Sequence, residues 1–508
     1  MSSERNLRIE EKRVSSLSVS PTLPIDEAAF ETHYLVPEFH IHFMPDQAVV
    51  SPPGNKLFWD TPGTAEYYAK QICHGSRANP FAKFPVKIAS RQMQFVNKTG
   101  RDIYSFIDGT RTTEEVYRAV LDKNNEQYGA KREDVFNFLK NVVRYRHATL
   151  SATPLQKPYT LSGSEEYAVP VHASLEVTAN CNARCKHCYG SFEGARAGML
   201  DLQTVLDLLA RLRQQGVRTL ELTGGECSTH PDFPTILEES AKMFDLVAIL
   251  TNGIAMPERV FEIATRYAHK LMVQICINGR KEFHDDFVGV PGSFERSSRN
   301  ITRFAQVGVF SRVSMNLTFE NSDDIEYVLD HAQECGATTF AASMVVMSQG
   351  RAATLPMVTN GTPCKFLKRQ NDLLVELEKR YPGFVICHLS ENATAMIDYN
   401  HSCGVGRRTI YITSDGLFHL CPMSIGSGVP GYSTVETFMN AQTPWDTPFI
   451  RGIYKLKAPD ADICRECRHV LECLGCITRG IQNYLKAPEN CPWGEANRLS
   501  HLLTAAVD

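Results

Sequence analysis

Cys181-Asn-Ala-Arg-Cys185-Lys-His-Cys188 stands directly behind an apolar stretch, HASLEVT at 172–178, and Thr223-Gly224-Gly225-Glu226 closes the next such stretch, TLELT at 219–223. Three cysteines on one tight loop offer three thiolates to three irons of a cubane cluster and leave the fourth iron without a protein ligand. The two glycines let backbone approach a ligand closely, and Glu226 adds a carboxylate able to accept a charge-assisted hydrogen bond. Outward from these two motifs, LVAILT (246–251), LMVQICI (271–277), SRVSMNLT (311–318) and TTFAASMVV (338–346) read as further strands. Helical periodicity lies between them, with Leu202, Val205, Leu206, Leu209 and Leu212 on one face. Six β-α units between 169 and 377 predict an α/β fold: a parallel sheet with helices on its outer side, an incomplete (β/α)6 barrel open to a large substrate. Ligands then belong at the C-terminal strand ends.

The remaining sequence divides into flanking modules. The chain has 508 residues, 43% hydrophobic and 22% charged, with a formal net charge of -4. That length implies about three domains, and the charge offers no footprint for nucleic acid. No run approaches the roughly 18 apolar residues of a membrane span, and the start, MSSERNLRIEEKRVSS, has no secretory h-region. A cytoplasmic chain is therefore expected, with residues 1–34 as a disordered tail. From 35 to 150 the sequence reads as a small α+β module. FHIHF and QAVVSP are strands around a turn at Pro45-Asp46, KIASRQMQFV is a third candidate, and Thr112 with Glu115 forms a capping box before Val116, Val120 and Leu121. Val135, Phe138, Leu139 and Val142 repeat at helical spacing.

Sixteen cysteines without an export signal point to metal or redox use rather than disulfides. Seven crowd the Gly-rich stretch 403–491: Cys403, Cys421, then Cys464-x2-Cys467-x5-Cys473-x2-Cys476, then Cys491. Little between 385 and 495 looks able to build an apolar core of its own, and metal clusters are the natural substitute. Residues 496–508 form a tail, with GEANRLSHLLTAAV as one helix. Cys73, Cys227, Cys335 and Cys364 read as small apolar fillers. A structural zinc site is the alternative at 181–188, against which stand the missing fourth ligand and the placement of His187 inside the loop. A zinc ribbon is the alternative at 464–476.

The CxxxCxxC loop followed by Gly-Gly-Glu resembles the radical S-adenosylmethionine (SAM) superfamily. The resemblance implies that Cys181, Cys185 and Cys188 hold a [4Fe–4S] cluster and that Gly224, Gly225 and Glu226 hold SAM through its amino group. It also implies the reaction: one electron cleaves the sulfonium, and the 5′-deoxyadenosyl radical abstracts hydrogen from an unactivated C–H bond. Asn252, Cys276 and Asn278 are further candidate SAM contacts, with turn formation the equal alternative for both asparagines. Close relatives often carry serine where Cys276 stands and arginine where Val288 stands, so SAM is expected to be held somewhat differently here.

The second cysteine set resembles the SPASM-type extension with two auxiliary [4Fe–4S] clusters, three clusters in all. By that likeness Cys464, Cys467, Cys473 and Cys491 bind the outer cluster and Cys403, Cys421 and Cys476 the inner one. Cys387 is a candidate fourth inner ligand. Two residues, where three are usual, precede Cys476. NKTGRDIYSFIDGTRTTEEV resembles the three-strand, three-helix (PqqD-like, winged-helix-like) domain that binds the leader of a precursor peptide as an added strand; a purely structural module is the alternative. Together these imply a maturase that binds a ribosomally made precursor and installs a cross-link, thioether favoured and carbon–carbon possible, with flavodoxin or ferredoxin as reductant. A sulfatase-maturating type of protein modification is the second reading, weakened because Pro422 stands where those relatives place an acidic base. A non-catalytic iron–sulfur electron carrier is the third.

Overall fold

The computed structural model of the chain describes residues 27–45, 47–51, 94–124, 131–144, 147–190, 198–345, 350–355, 363–381, 384–386, 405–406, 408–425, 428–459, 463–464, 467, 473 and 476–504. They form two compact units dividing after Tyr167.

The N-terminal unit contains strands β1 (Tyr34–Pro37), β2 (His40–Phe43), β3 (Gln47–Ser51), β4 (Gln94–Asn97), β5 (Ala148–Ser151) and β6 (Thr160–Gly163). β3 pairs antiparallel with β2 and β4, β6 lies parallel on the other side of β2, and β1 pairs with β5. Three helices, Lys98–Ser105, Thr113–Asn124 and Arg132–Arg144, share a core with the sheet that includes Phe39, Ile41, Tyr104, Val116, Val120, Leu139 and Val142. The capping box forms as expected: Thr112 N–H donates to Glu115 Oε2 at 2.8 Å, and Glu115 N–H to Thr112 Oγ1 at 3.4 Å. β2 and β3 are the FHIHF and QAVVSP strands, and β4 takes the end of the third candidate; Asp46 of the expected turn and residues 87–93 lie outside the described residues.

The expected tail is corrected at its end. Residues Glu27–Thr32 form a helix, and Phe30 is fully buried against Phe136 at 6.0 Å. Burying such a side chain contributes about 1.5–3 kcal/mol, enough to draw a short polar segment onto the core.

In the second unit the six expected strands are β7 (His172–Thr178), β8 (Thr219–Gly224), β9 (Leu246–Thr251), β10 (Leu271–Cys276), β11 (Phe310–Leu317) and β12 (Thr339–Met344), each paired parallel with the next. β13 (Val385–Ile386) extends one edge. At the other, β14 (Thr409–Ile412) runs parallel to β7 and leads into antiparallel β15 (Leu417–His419) and β16 (Ser433–Thr434). The strand order is open, so the fold is a partial barrel. Period-2 alternation defines its two faces. Ala173, Leu175, Val177, Leu220, Leu222, Val247, Ile249, Val273 and Val313 are fully buried, whereas Glu221, Leu250, Gln274, Cys276, Arg312, Ser314 and Asn316 on the alternate face are partly exposed. On the helix Leu202–Gln214 the buried stripe is Val205, Leu208, Leu209 and Leu212, shifted slightly from the expected face. No helix among the described residues is long and apolar enough to cross a membrane.

The C-terminal region departs from the expectation of a core-poor segment. Phe418, Phe438, Trp445 and Phe449 are buried, with Phe438 and Trp445 rings 4.8 Å apart. Trp445 Nε1–H donates to Gln215 O at 3.2 Å, tying this cluster to the end of the helix Leu202–Gln214. Few aromatics suffice because each buries a large area. The chain end forms two short helices, Pro492–Ala496 and Leu499–Thr504, in place of the expected single one; Arg498, at φ 50, interrupts them.

Trp445→Ala leaves a cavity and a lone carbonyl. It is expected to cost about 3–5 kcal/mol, read as a lower denaturant midpoint of the barrel unit.

Candidate active site

The Gly-Gly-Glu segment is fastened to the chain that feeds the cysteine loop. Thr178 at the end of β7 is in register with Gly224 at the end of β8. Gly225 N–H donates to Thr178 O at 2.9 Å and Glu226 N–H to Asn180 O at 2.8 Å. Gly224 has φ +146, and a Cβ there would lie 2.3 Å from Thr178 O; one at Gly225 would lie 2.4 Å from Asn180 O. Both glycines are thus required by close approach to the neighbouring backbone, a constraint the sequence assigned to a ligand.

Glu226 is buried, and its carboxylate ties the end of β8 to the end of β9. Oε1 accepts from Ser228 N–H at 3.1 Å, Ser228 Oγ at 2.7 Å and Thr251 Oγ1 at 2.7 Å, while Oε2 accepts from Asn252 N–H at 2.7 Å. The carboxylate is thus held in place by four N–H and O–H donors. The Asn252 side chain is occupied at both ends: Oδ1 accepts from Ile254 N–H at 2.9 Å, and Nδ2 donates to Asn182 Oδ1 at 2.7 Å, inside the cysteine loop. Its turn-forming alternative is therefore realised. Cys227 is fully buried, with Sγ donating to Leu250 O at 3.5 Å, the filler expected of it.

The cysteine loop is gripped from two sides. Arg184 and Lys186 N–H donate to Val288 O and Phe287 O, each at 2.9 Å. Val288 packs with Ala183, Ile254, Cys181 and Cys185, so an apolar contact stands where relatives place arginine. From the other side, Arg351 Nε donates to Cys185 O at 2.8 Å, and a Cβ at Gly350 would lie 2.4 Å from Cys188 O. Nothing in the sequence marked Gly350 or Arg351.

Burial pushes the Cys181 thiol up to about 11, with the charges of Glu226 and Cys188 adding to it; burial, Cys181, Cys188 and Cys276 push Cys185 higher still. Arg351 opposes the rise at both. Cys181 and Cys185 stay protonated unless a multiply charged metal centre offsets burial and repulsion, so this donor set fits an iron–sulfur cluster. Among the described residues, no group of three His, Cys, Asp or Glu side chains is set to hold a single metal ion. His187 turns away into a stack on Phe287 at 4.8 Å, its Nε2 3.2 Å from Asn316 Nδ2.

On β10, Cys276 Sγ lies 3.0 Å from Ser314 Oγ. Asn278 is fully buried, and its Oδ1 accepts from Asn316 N–H at 3.0 Å, which makes it a tie between β10 and β11. Ser314 and Asn316 join this end of the site. Their only sequence signal is polar residues alternating with Val313, Met315 and Leu317 along an apolar strand.

In the second cysteine region, Cys476 and Cys491 sit at helix starts, and three sulfurs accept hydrogen bonds. Cys476 Sγ accepts from Arg479 N–H at 3.5 Å, Cys491 Sγ from Gly494 N–H at 3.3 Å, and Cys473 Sγ from Asn483 Nδ2 at 3.1 Å. Such donors stabilise thiolate and cluster sulfur. Cys421 Sγ lies 3.2 Å from Thr478 Oγ1, in the helix that Cys476 caps. Burial, and then the charge of Cys467, raise the Cys491 thiol above its usual value. Cys464 is buried at the start of a turn in which Cys467 N–H donates to Cys464 O at 2.9 Å. Cys335 is buried. Cys73, Cys387 and Cys403, and the side chain of Cys364, lie outside the described residues.

A partial parallel barrel with a three-thiol loop at the end of its first strand, backed by a Gly-Gly-Glu turn, defines the radical SAM class of enzyme. Residues 175–332 match the Radical SAM superfamily. It is 27% identical over 430 residues to the antilisterial bacteriocin subtilosin biosynthesis protein AlbA of Bacillus subtilis, covering 82% of this chain and 92% of that one. It is 26% identical to the sporulation killing factor maturation protein SkfB of the same organism, over 53% of this chain and 64% of that one. The fold is similar to that of Streptococcus suis SuiB, solved bound to its precursor peptide SuiA, with a TM-score of 0.57 at 12% identity over 91% of this chain and 98% of that chain.

Gly225→Ala drives a methyl group into the Asn180 carbonyl. It is expected to cost about 1–3 kcal/mol, seen as a melting temperature lower by several degrees, together with reduced iron uptake on anaerobic reconstitution.

Proposed function

We propose that this enzyme binds a ribosomally made precursor peptide and installs cross-links in it, thioether bonds foremost and carbon–carbon bonds as the other product class. The observation that carries the reading is the thiol loop at the C-terminal end of β7, clamped by Gly-Gly-Glu on one side and Arg351 on the other. Cys181, Cys185 and Cys188 would hold the cluster, and the Gly224–Glu226 turn would orient SAM. When bound, that pair supplies hydrogen-atom abstraction from an unactivated C–H bond. The chain's own part is to hold the loop, exclude water with Val288 and Ile254 around it, and present the partly exposed inner strand face to the substrate.

The flanking regions support a peptide substrate. In the N-terminal unit, the antiparallel run β2, β3 and β4, extended by β6, shares a core with three helices, an α+β module compatible with leader recognition, in which the leader would add as a strand. In the second region, the closeness of Cys467 to Cys491, and of Cys421 to the helix headed by Cys476, agrees with an outer cluster on Cys464, Cys467, Cys473 and Cys491 and an inner one on Cys403, Cys421 and Cys476. Cys387 is the proposed fourth inner ligand. An inner iron left open would instead ligate a substrate thiolate, which favours thioether chemistry. The relatives named for bacteriocin and killing-factor maturation agree with this substrate class. Flavodoxin or ferredoxin in a reducing cytoplasm is the proposed electron source.

Anaerobically reconstituted enzyme with dithionite and SAM is expected to release 5′-deoxyadenosine, and Cys181→Ala, Cys185→Ala or Cys188→Ala to reduce release to background. Cys464→Ala or Cys467→Ala should lower iron content by about four atoms per chain while nucleoside release persists. Mass spectrometry of a cysteine-bearing precursor encoded beside this gene should show one pair of hydrogens lost per bond. Background nucleoside from the wild type would refute the enzyme reading. Nucleoside release with an unchanged precursor mass would refute the peptide reading.

A further inference from the structure

The inner face of the partial barrel carries a charge that the mechanism leaves unused. Arg312 is the one lysine or arginine in strands β7 to β12. Its neighbours in the alternation, Ser314 and Asn316, contact Cys276, which itself acts on the charge of Cys185, so this face is the one that carries the cysteine loop. Arg312 lies nearer the N-terminal ends of the strands, in register with Gln274 on β10 and Thr339 on β12. It is therefore deeper in the barrel than the loop.

Its surroundings are poor in acceptors. Its Nη2 meets Met272 Sδ at 3.7 Å, a weak acceptor, and its buried Nε has no hydrogen-bond partner among the described residues. The adjacent Thr339 Oγ1 is likewise buried without one. Glu221 acts on Arg312 only at a distance, outside ion-pair contact, and faces His172 on the same side of the sheet. The inner carboxylate of Glu176 is engaged by Tyr411 Oη–H at 2.8 Å and Ser414 N–H at 3.3 Å, and that of Glu226 by four donors. A partly exposed guanidinium with a buried, unpartnered Nε gains from a carboxylate that can pair with it bidentately.

We infer that Arg312, with the Thr339 hydroxyl beside it, is the recognition point for a carboxylate of the substrate, lying beneath the reacting centre on the inner face of β11. This deepens the peptide reading and rests on it: the substrate presents an acidic side chain or a free C-terminus deep in the barrel while a residue above it reacts. Glu221 tempers the site by repelling any carboxylate that Arg312 does not hold directly.

Saturation-transfer NMR on the cluster-loaded full chain tests this with three probes. N-acetylglutamate α-amide carries a side-chain carboxylate, N-acetylglutamine an α-carboxylate, and N-acetylglutamine amide neither. One of the two acids is expected to bind about ten-fold tighter than the neutral probe, as a charge-assisted pair provides, and which one identifies side chain or terminus. Arg312→Gln should reduce that preference below about two-fold, Arg312→Lys should keep part of it, and Glu221→Gln should widen it. Equal binding of all three probes, a preference that survives Arg312→Gln, or no widening with Glu221→Gln would overturn the inference. The Glu221→Gln arm holds even where Arg312→Gln fails to fold. A chain that modifies its peptide but shows no acid preference defeats only this inference; an acid preference without nucleoside release defeats only the proposed function.

Discussion

Cys181 and Cys185 share one tight loop with Cys188 and resist ionisation there, and the rest of the barrel is arranged around that constraint. Burial and mutual repulsion hold Cys181 and Cys185 well above the usual thiol range, with Arg351 acting in the opposite sense. In that state the loop is chemically quiet. A polycationic iron–sulfur centre converts the repulsion into binding energy, because thiolates that are costly alone become ligands. Such a loop must be held in one shape before the metal arrives. The backbone ladder from Thr178 and Asn180 to Gly225 and Glu226, and the grips from Val288, Phe287 and Arg351, supply that shape.

The sheet separates stability from chemistry by its pleat. One face of β7 to β12 is aliphatic and closed off; the other carries Glu221, Gln274, Cys276, Arg312, Ser314 and Asn316. Polar side chains on an inner face are costly unless they bond to one another or to a ligand. Near the loop Ser314, Asn316, Asn278 and His187 bond to one another, with Asn278 Nδ2 and His187 Nδ1 left without partners among the described residues. Deeper down, at Arg312 and Thr339, they do not. The same pleat therefore places a neutral polar tier beside the reacting centre and a charged one, at Arg312, beneath it.

Much of this was legible in the sequence, for identifiable reasons. The CxxxCxxC spacing signals its chemistry because thiolate ligands are few and their separation is local. Strands β7 to β12 were legible because the aliphatic face repeats every second residue. What escaped reading depends on partners far along the chain. Gly224 and Gly225 were read as making room for a ligand; the atoms that a Cβ there would meet belong to Thr178, which ends the neighbouring strand, and to Asn180 just beyond it. Arg351 reaches Cys185 from 166 residues away with no local pattern to mark it. The buried Phe30, and the aromatic cluster of Phe418, Phe438 and Trp445, sit in segments whose polar or glycine-rich composition hides single large anchors. Arg312 was visible as a strand residue, but its lack of an anion is a property of the assembled sheet.

The account rests on a loop that leaves one iron corner free for the sulfonium donor, and the electron paramagnetic resonance spectrum of the reduced protein reads that corner directly. In a Cys421→Ala, Cys464→Ala, Cys467→Ala, Cys476→Ala variant, which loses ligands of both proposed auxiliary clusters, adding SAM should shift the spectrum, and Gly225→Ala should weaken the shift. Protein carrying zinc in place of iron, or a reduced spectrum unmoved by SAM, would contradict it.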